Sequence, residues 1–272
     1  MKMDKILCIV PLYNKIRFLP YTLGSVIHWQ TEVDVTMVIV DDCSTDGSYE
    51  WVQENLGKYP NVHIIRNEVN SGCYVSRNRG LNYAVTNNIE FDYFTVTDPD
   101  DQQLRGRFKT IIDEFKLNPQ LLAIKQPYLR CNIDTNEVIE KTDAGEGAAI
   151  FKREVFEKIG YWDNTLRFGG DTDYVYRLGN WYFSQNQNGY SVMGTYVDPL
   201  LYALTDNTGQ NLTILHPTNS PERQAVFSYI NQFTLNCKVE DCYYEFDNQG
   251  HAYADLGAME EWHKLSGVSN PQ

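Results

Sequence analysis

The first hundred residues alternate between short apolar runs and longer stretches in which apolar residues recur at helical spacing. The apolar runs are rich in β-branched residues, and their alternation with helical stretches indicates βαβ units around a parallel sheet. The predicted strands are Lys5–Val10, Val35–Val40, Val62–Arg66 and Tyr93–Thr97. The predicted helices are Phe18–Trp29, Ser48–Leu56, Ser71–Asn87 and Gly106–Leu117. The pattern therefore predicts an α/β fold in this part of the chain.

The pattern changes after residue 120, where apolar runs are no longer separated by helical stretches. Further strands are predicted at Leu121–Gln126, Leu129–Ile133 and Val138–Lys141, and a helix at Asp171–Gln187. The turn-forming residues Asp134–Asn136 predict a hairpin between the last two strands, so we expect the sheet to become mixed. Ser220, which precedes a proline, favours the start of another helix. We therefore expect a main domain over residues 1–215 and a helical or irregular C-terminal extension over 216–272.

Charge and composition narrow the class of partner. Acidic residues exceed basic residues by 36 to 23, which gives a formal net charge of -13 and disfavours nucleic acid and anionic membranes as partners. No window approaches the ~18 apolar residues of a membrane span, and the N-terminus lacks the apolar region of a signal peptide. The six cysteines form no Cys-x-x-Cys pair and are expected to be reduced thiols. The predicted location is the cytoplasm, without a transmembrane segment.

Polar residues follow three of the predicted strands directly, at Pro11–Asn14, Asp41–Asp42 and Asp98–Asp101. Because the carboxyl ends of parallel strands share one edge of the sheet, we expect these residues to converge on one cleft. Several carboxylates at close range repel one another unless a cation joins them. Carboxylate oxygens suit Mg²⁺ or Mn²⁺ and leave coordination positions open for phosphates. The alternative is that Asp98–Asp101 is a solvated turn before the next helix.

Two further segments have both a structural and a functional interpretation. The acids at Asp41–Asp42 either hold the turn before the next helix or accept a hydrogen bond from the imide N–H of a uracil-like base, and neither role excludes the other. The helix start within Asn70–Gly80 carries Arg77 and Arg79 and is typical of an anion site. Alternatively, one of these arginines forms a salt bridge with the acidic cleft.

A glycine pair precedes the helix that begins near Asp171, and the first turn of that helix holds Asp171 and Asp173. Acids are favoured at a helix start by capping and by the helix dipole. An acid in this position beside a sugar cleft could also accept a proton from a hydroxyl nucleophile. The segment alone does not decide between these two roles.

Six of these segments occur in a defined order along the chain. They are Val10–Asn14, Gln30–Thr31, Val40–Ser48, Asn70–Gly80, Asp98–Asp101 and the acidic helix start at Asp171. In this order they resemble the family 2 glycosyltransferases of the GT-A fold, a group of inverting enzymes that use nucleotide sugars. The resemblance implies a Rossmann-like mixed central sheet flanked by helices, and it ends near Leu204, before the C-terminal extension.

The resemblance also implies roles for individual residues. The donor is expected to be a nucleotide sugar, with a UDP-sugar favoured, and its binding residues are Pro11, Tyr13, Asn14, Asp41, Asp42, Arg77 and Asp98, with Asp41 or Asp42 holding uracil. The Asp-x-Asp motif, Asp98 and Asp100, is expected to bind Mn²⁺ or Mg²⁺ at the donor diphosphate. Asp171 is expected to be the catalytic base for a hydroxyl of a glycan or glycoconjugate acceptor. The acceptor-side candidates are Asp173, Trp162 and Gly170.

Two positions depart from the family pattern. Gly170 stands where the family carries a glutamate that contacts the acceptor, a role that Asp173 could take. A histidine that many relatives present to the metal is also missing, and Asp206 or His216 could replace it. These departures support an alternative, a catalytically inactive GT-A domain that binds nucleotide sugar or glycan. A sugar-phosphate nucleotidyltransferase is disfavoured, because it would carry a glycine-rich loop followed by a basic residue after the first strand.

Overall fold

The computed structural model describes residues 3–142, 145–166, 169–185, 192–196 and 198–208, together with the isolated positions 221 and 224. The predicted C-terminal extension and the helix expected at Ser220 lie outside the described residues, apart from those two positions. The boundary expected at residue 215 stays a prediction. Within the described part of the chain, no helix is long and apolar enough to cross a membrane.

The chain forms the predicted elements of its first half close to the expected bounds. The strands are β1 (Lys5–Leu12), β2 (Asp34–Asp41), β3 (Val62–Arg66), β4 (Tyr93–Val96), β5 (Asp101–Gln103), β6 (Ala123–Gln126), β7 (Leu129–Asn132), β8 (Glu137–Lys141), β9 (Gly145–Lys152), β10 (Met193–Thr195) and β11 (Leu201–Thr205). The helices are α1 (Leu19–His28), α2 (Ser48–Leu56), α3 (Cys73–Thr86), α4 (Arg107–Leu117), α5 (Arg153–Ile159) and α6 (Gly170–Gln185). Five of these elements, β5, β9, α5, β10 and β11, were not predicted from the sequence.

The central sheet has seven strands in the order β10-β6-β9-β4-β1-β2-β3. The strands β4, β1, β2 and β3 are parallel neighbours, whereas β9 runs antiparallel to both β4 and β6. The predicted mixed α/β sheet is therefore confirmed. Because β1, β2 and β4 are parallel, their carboxyl ends open at the same edge of the sheet.

Helices cover both faces of this sheet, and strand β1 shows how the two faces are separated. Side chains alternate between the faces of a strand, so Leu7 and Ile9 pack into one core cluster and Ile6 and Cys8 into the other. The first cluster includes residues of α3, α5 and α6, and the second includes residues of α1, α2 and α4. Burial on both faces explains why β1 is a nearly continuous apolar run.

Helix α3 lies close to the sheet at Gly80. A Cβ atom built on Gly80 would stand 2.7 Å from Cγ2 of Ile9 and 3.2 Å from Cγ2 of Val40. Glycine is therefore required at this position for the helix to reach its observed height above β1 and β2.

A second sheet, ordered β5-β11-β7-β8, lies beyond the end of β4. Strands β7 and β8 form the predicted hairpin. Strand β11 pairs with β5, and the Leu204 N–H donates to the carbonyl of Asp100 at 2.7 Å. On the other side, Thr22 Oγ1 of α1 donates to the carbonyl of Pro99 at 2.7 Å. The segment from Asp98 to Asp100 is thus fixed between α1 and the second sheet.

Candidate active site

The residues that follow β1 meet the loop that follows β2. Pro11 is buried within β1, while Tyr13 is 43% exposed at its end. Asn14 adopts a left-handed backbone conformation with φ of 50°. Its N–H donates to Ser44 Oγ at 3.0 Å, and its side-chain Oδ1 accepts from the N–H of Thr45 at 2.8 Å. Asn14 therefore joins the two loops, and Tyr13 is the exposed residue beside them.

Asp42 holds together the loop that leads into α3. One carboxylate oxygen accepts from Asn67 Nδ2 at 2.7 Å and from the N–H of Ser71 at 2.8 Å, and the other accepts from the N–H of Gly72 at 2.7 Å. The Asp42 side chain is 4% exposed. Both of its oxygens are therefore used inside the protein, in a structural role.

Asp41 differs from its neighbour because one of its oxygens has no partner among the described residues. Asp41 is fully buried, and its Oδ2 accepts from the N–H of Ser44 at 3.2 Å and lies 3.1 Å from Arg66 Nε. Among the described residues, nothing donates to its Oδ1. Burial raises the pKa of Asp41, although Ser44 and Arg66 oppose the shift. A buried oxygen without a donor is costly in isolation, so this atom is the candidate acceptor for a ligand N–H.

Arg77 brings two distant carboxylates together. It projects from α3, is only 3% exposed, and contacts Asp171 through Nη1 and Asp98 through Nη2, the latter at 3.4 Å. Burial by itself lowers the pKa of Arg77, but the carboxylates of Asp171 and Asp98 outweigh this effect and raise the pKa well above its usual range. The guanidinium is therefore a permanent charge between the end of β4 and the start of α6. Arg77 Nε is buried and has no partner among the described residues.

Asp98, Asp100 and Asp171 form a group of mutually repelling carboxylates that we call the acidic triplet. Partial burial raises the pKa of Asp98, and Asp100 and Asp171 add to the shift while Arg77 opposes it. Asp100 contacts a second cation, the ammonium of Lys15, at 2.7 Å. The sequence analysis missed Lys15, whose signal is that it is the first basic residue after β1.

The Asp-x-Asp motif has the donor set that a hard divalent cation requires. The Asp98 side chain is 46% exposed and the Asp100 side chain 15% exposed, and their segment is fixed at the sheet edge. No group of three or more acidic, histidine or cysteine side chains in the described part of the chain is arranged to hold a metal. One or two carboxylates suffice for Mg²⁺ when substrate phosphates complete the coordination. The residues present therefore fit a cation that binds together with a diphosphate.

Asp171 lies in the first turn of α6, next to the central sheet. Its side chain is 26% exposed and contacts Arg77. A Cβ atom built on Gly147 of β9 would lie 3.5 Å from its Oδ2. The carboxylate is thus held between Arg77 and the backbone of β9, and part of it remains open to a substrate.

The three acceptor-side candidates are buried. Trp162 is 1% exposed and stacks on Tyr174 in the core, with ring centroids 4.4 Å apart. Asp173 is 1% exposed and accepts from Arg177 Nε at 2.8 Å. Gly170 is buried at the start of α6. None of the three offers an exposed side chain in this conformation, and their acceptor-side roles stay predictions.

Both carboxylate oxygens of Asp206 accept hydrogen bonds from groups outside the acidic triplet, and its role at the metal stays a prediction. Its Oδ2 accepts from Arg17 Nη1 at 2.9 Å, and its Oδ1 accepts from the N–H of Thr208 at 3.0 Å. These hydrogen bonds and the charge of Arg17 outweigh burial and lower the pKa of Asp206. The other residue considered for this role, His216, lies outside the described residues.

Two solved structures illustrate the fold that this chain shares. The complex of S. aureus TarS 1-349 with UDP-GlcNAc has a TM-score of 0.62 and 20% identity, over 87% of this chain and 68% of that one. Mannosyltransferase PcManGT from Pyrobaculum calidifontis, in complex with GDP-Man and Mn²⁺, has a TM-score of 0.57 and 16% identity, over 97% of this chain and 76% of that one. This likeness confirms the predicted GT-A fold.

Sequence comparison defines the family. Residues 7–139 match Glycosyl transferase family 2. An uncharacterized glycosyltransferase of Haemophilus influenzae is 28% identical over 187 residues, 62% of this chain and 60% of that protein. The putative teichuronic acid biosynthesis glycosyltransferase TuaG of Bacillus subtilis is 34% identical over 106 residues, 37% of this chain and 38% of that protein. The alignments span less than two thirds of these relatives. The match over residues 7–139 and the similarity to these relatives confirm the predicted resemblance to glycosyl transferase family 2.

Proposed function

We propose that this protein is an inverting, metal-dependent glycosyltransferase that moves a sugar from a nucleotide-sugar donor to a hydroxyl group of a glycan or glycoconjugate. The observation that carries the proposal is the position of Arg77, which contacts Asp98 of the Asp-x-Asp motif and Asp171 of α6. A donor-binding acid and an acceptor-activating acid then lie on the two sides of one guanidinium. Residues 1–215 form the proposed catalytic domain.

The nucleobase is proposed to bind at Asp41, and a uracil base is favoured. The Oδ1 atom of Asp41 has no donor among the described residues, whereas both oxygens of Asp42 are occupied. The imide N–H of uracil is a suitable donor for such an oxygen. The complex of TarS with UDP-GlcNAc supports a UDP-sugar as the donor. Because PcManGT is in complex with GDP-Man, guanine nucleotides are tested beside the uracil nucleotides. Tyr13, beside Asn14, is the exposed ring proposed to cover the base.

The proposed reaction is a single displacement in which Asp171 acts as general base. The acceptor oxygen forms a bond to the anomeric carbon, and the bond from that carbon to the donor phosphate oxygen breaks. Its electron pair leaves with the nucleoside diphosphate. The hydroxyl proton passes to a carboxylate oxygen of Asp171. Because the nucleophile enters on the face opposite the leaving group, the configuration inverts.

The charge on the leaving group is the second requirement of this chemistry. Asp98 and Asp100 would hold a divalent cation, which when bound neutralises charge on the diphosphate. The ammonium of Lys15 contacts Asp100, and its proposed role after displacement from Asp100 is to donate to a donor phosphate. Arg77 keeps Asp171 in place and maintains positive charge beside the donor.

Isothermal titration with UDP, with and without MnCl₂, tests the donor site. We expect Asp100→Asn to remove the metal-dependent part of the affinity, by at least about tenfold. Asp113→Asn is the matched control, because Asp113 is an exposed acid paired with Lys109 on α4. GDP serves as the competing nucleotide. Equal metal-dependent affinity in the Asp100 variant and the native protein would contradict the assignment.

Transfer and donor hydrolysis, measured as release of UDP or GDP from UDP-GlcNAc and GDP-Man with Mn²⁺, test the catalytic step. We expect Asp171→Asn to lower the rate by about 10²–10⁴-fold and to leave the affinity for UDP unchanged. Full activity in this variant removes Asp171 from the mechanism. If the native protein binds nucleotide but releases none from any donor, the chain is a binding module instead of an enzyme.

A further inference from the structure

Gly170, the residue before Asp171, faces a ring that leaves no room for a side chain. A Cβ atom built on Gly170 would lie 2.6, 2.7 and 2.9 Å from three atoms of the Tyr74 ring. Real Cβ atoms essentially never lie within 3.0 Å of another heavy atom, so a side chain here would force a neighbour to move. Tyr74 is 4% exposed and belongs to the core, so it cannot swing away freely. Tyr74 therefore fills the space where the resemblance leads one to expect a glutamate side chain.

The hydroxyl of Tyr74 also binds the first turn of α6. The N–H of Gly170 donates to Tyr74 Oη at 2.9 Å. The first N–H groups of a helix have no partner within the helix, so this bond satisfies a donor that burial would otherwise leave unpaired. Burial raises the pKa of Tyr74 well above its usual range, which keeps the hydroxyl neutral. The backbone one residue before Asp171 is thus fixed to α3.

The same ring supports the cation that holds the Asp171 carboxylate. Tyr74 and Arg77 lie about one turn apart on α3 and face the same side. The Arg77 guanidinium lies over the Tyr74 ring, 4.9 Å from its centroid, and its Nη1 contacts Asp171. Tyr74 therefore acts on Asp171 twice, through the backbone at Gly170 and through the guanidinium of Arg77.

We propose that Tyr74 is a positioning residue that sets the place of the Asp171 carboxylate, and that glycine at 170 is required by the ring of Tyr74. The inference rests on the proposed function, in which Asp171 is the general base. In this chain the contact between α3 and α6 replaces a side chain at position 170 as the feature that shapes the acceptor end of the cleft.

The variant Tyr74→Phe tests the hydrogen bond, because it keeps the ring and its contact with Arg77. We expect kcat to fall by about 10- to 100-fold, as a misplaced catalytic group would cause. The affinity for UDP with Mn²⁺ should stay within about twofold, since the donor residues are untouched. Tyr83→Phe is the matched control on the same helix, with its hydroxyl 3.4 Å from His63 Nδ1. Equal loss of kcat in both variants, or a loss confined to donor affinity, would overturn the positioning role.

Amide hydrogen exchange at Gly170 provides a readout that does not depend on activity. We expect faster exchange at Gly170 in Tyr74→Phe than in the native protein, and no change there in Tyr83→Phe. Faster exchange with an unchanged kcat overturns the positioning role, and unchanged exchange overturns the hydrogen bond itself. If the native protein transfers no sugar, the proposed function fails while the exchange result still reports on the contact.

A double-mutant cycle tests the steric part of the proposal. Gly170→Ala should lower the melting temperature in the native background, because its Cβ meets the ring. In the background of Tyr74→Ala, where the ring is absent, the same change should have little effect. The two substitutions should therefore be strongly non-additive. Additive effects would show that the ring does not exclude a side chain at position 170.

Discussion

Two acidic groups at the same edge of the sheet are neutralised in different ways. The pair at the end of β2, Asp41 and Asp42, receives most of its hydrogen bonds from N–H donors of the neighbouring loops, with Arg66 as its cation. The acidic triplet instead contacts the side-chain cations Lys15 and Arg77. Both groups concentrate negative charge, but only the first has its charge bound chiefly by the backbone.

This difference indicates which of the two acidic groups can exchange its hydrogen-bonding and ionic partners when a ligand binds. Backbone N–H donors cannot leave without moving the chain, so the bonds around Asp42 are part of the fold. An ammonium on a flexible stem, such as that of Lys15, can leave a carboxylate when another cation arrives. We therefore expect substitutions in the pair to affect folding most and substitutions in the triplet to affect ligand binding most.

The largest expected effect is a difference in the free energy of unfolding between a variant of the Asp41–Asp42 pair and a variant of the acidic triplet. Asp42→Ala leaves three N–H donors without their anionic acceptor, and we expect a loss of roughly 3–5 kcal/mol in the free energy of unfolding. Asp98→Asn should change it by no more than about 0.5 kcal/mol, because the side chain is half exposed and repelled by its neighbours. Urea denaturation measures both. Similar losses in the two variants would remove the distinction between the groups.

An intermediate effect concerns the exchange of cations at Asp100. Without the ammonium of Lys15, Mn²⁺ no longer has to displace a partner, so Lys15→Met should bind Mn²⁺ up to about tenfold more tightly in the absence of nucleotide. Electron paramagnetic resonance of free Mn²⁺ measures this affinity. The control is Lys109→Met, which removes a similar pair with Asp113 on α4. Weaker Mn²⁺ binding in the Lys15 variant would mean that Lys15 supports the metal site.

The smallest expected effect is the pH dependence contributed by Asp41. Its pKa is raised in the folded protein, so the folded state retains this proton to higher pH than the unfolded state does. Stability from Asp41 is therefore present below the unfolded pKa of about 4 and is lost as the pH rises through the folded pKa. The stability of Asp41→Asn relative to the native protein should increase from pH 3 to pH 7, by about 1 kcal/mol or less.

Thermal or urea unfolding across this pH range measures the change, with Asp113→Asn as the reference. Asp42 adds to the raised pKa, and Arg66 and Ser44 oppose it, so all three interactions enter the result. A relative stability that decreases with pH would show that Arg66 dominates and that the pKa of Asp41 is lowered.

The sequence was informative where local pattern decides the structure. Helix α2 and strand β3 have the predicted bounds, Ser48–Leu56 and Val62–Arg66. Strand β5 has only three residues, Asp101–Gln103, and exists because it pairs with β11 about a hundred residues further along the chain. Strand β9 begins with glycines and lies between two antiparallel partners. Such elements depend on distant pairing, which local apolar periodicity does not contain.

The candidate site, like the fold, combines features that the local sequence predicts with features that depend on contacts between distant residues. The positions of the acids follow from strand ends, so their convergence could be predicted from the parallel sheet. Their partners could not, because Lys15, Tyr74 and Arg77 reach them from separate elements. The choice between Asp41 and Asp42 also needed geometry, since it depends on which carboxylate the loop before α3 occupies. The site assignments themselves stay predictions until the variants are measured.

The packing of Gly80 also affects the position of Arg77, which lies on the same helix, α3. Gly80 is one turn from Arg77 on the same helix, and it rests directly on Ile9 and Val40. A single methyl group there would lift the helix from the strands and carry the guanidinium away from both carboxylates it joins. The contact of Gly80 with the strands therefore sets the position of Arg77 between Asp98 and Asp171, although Gly80 itself touches neither acid.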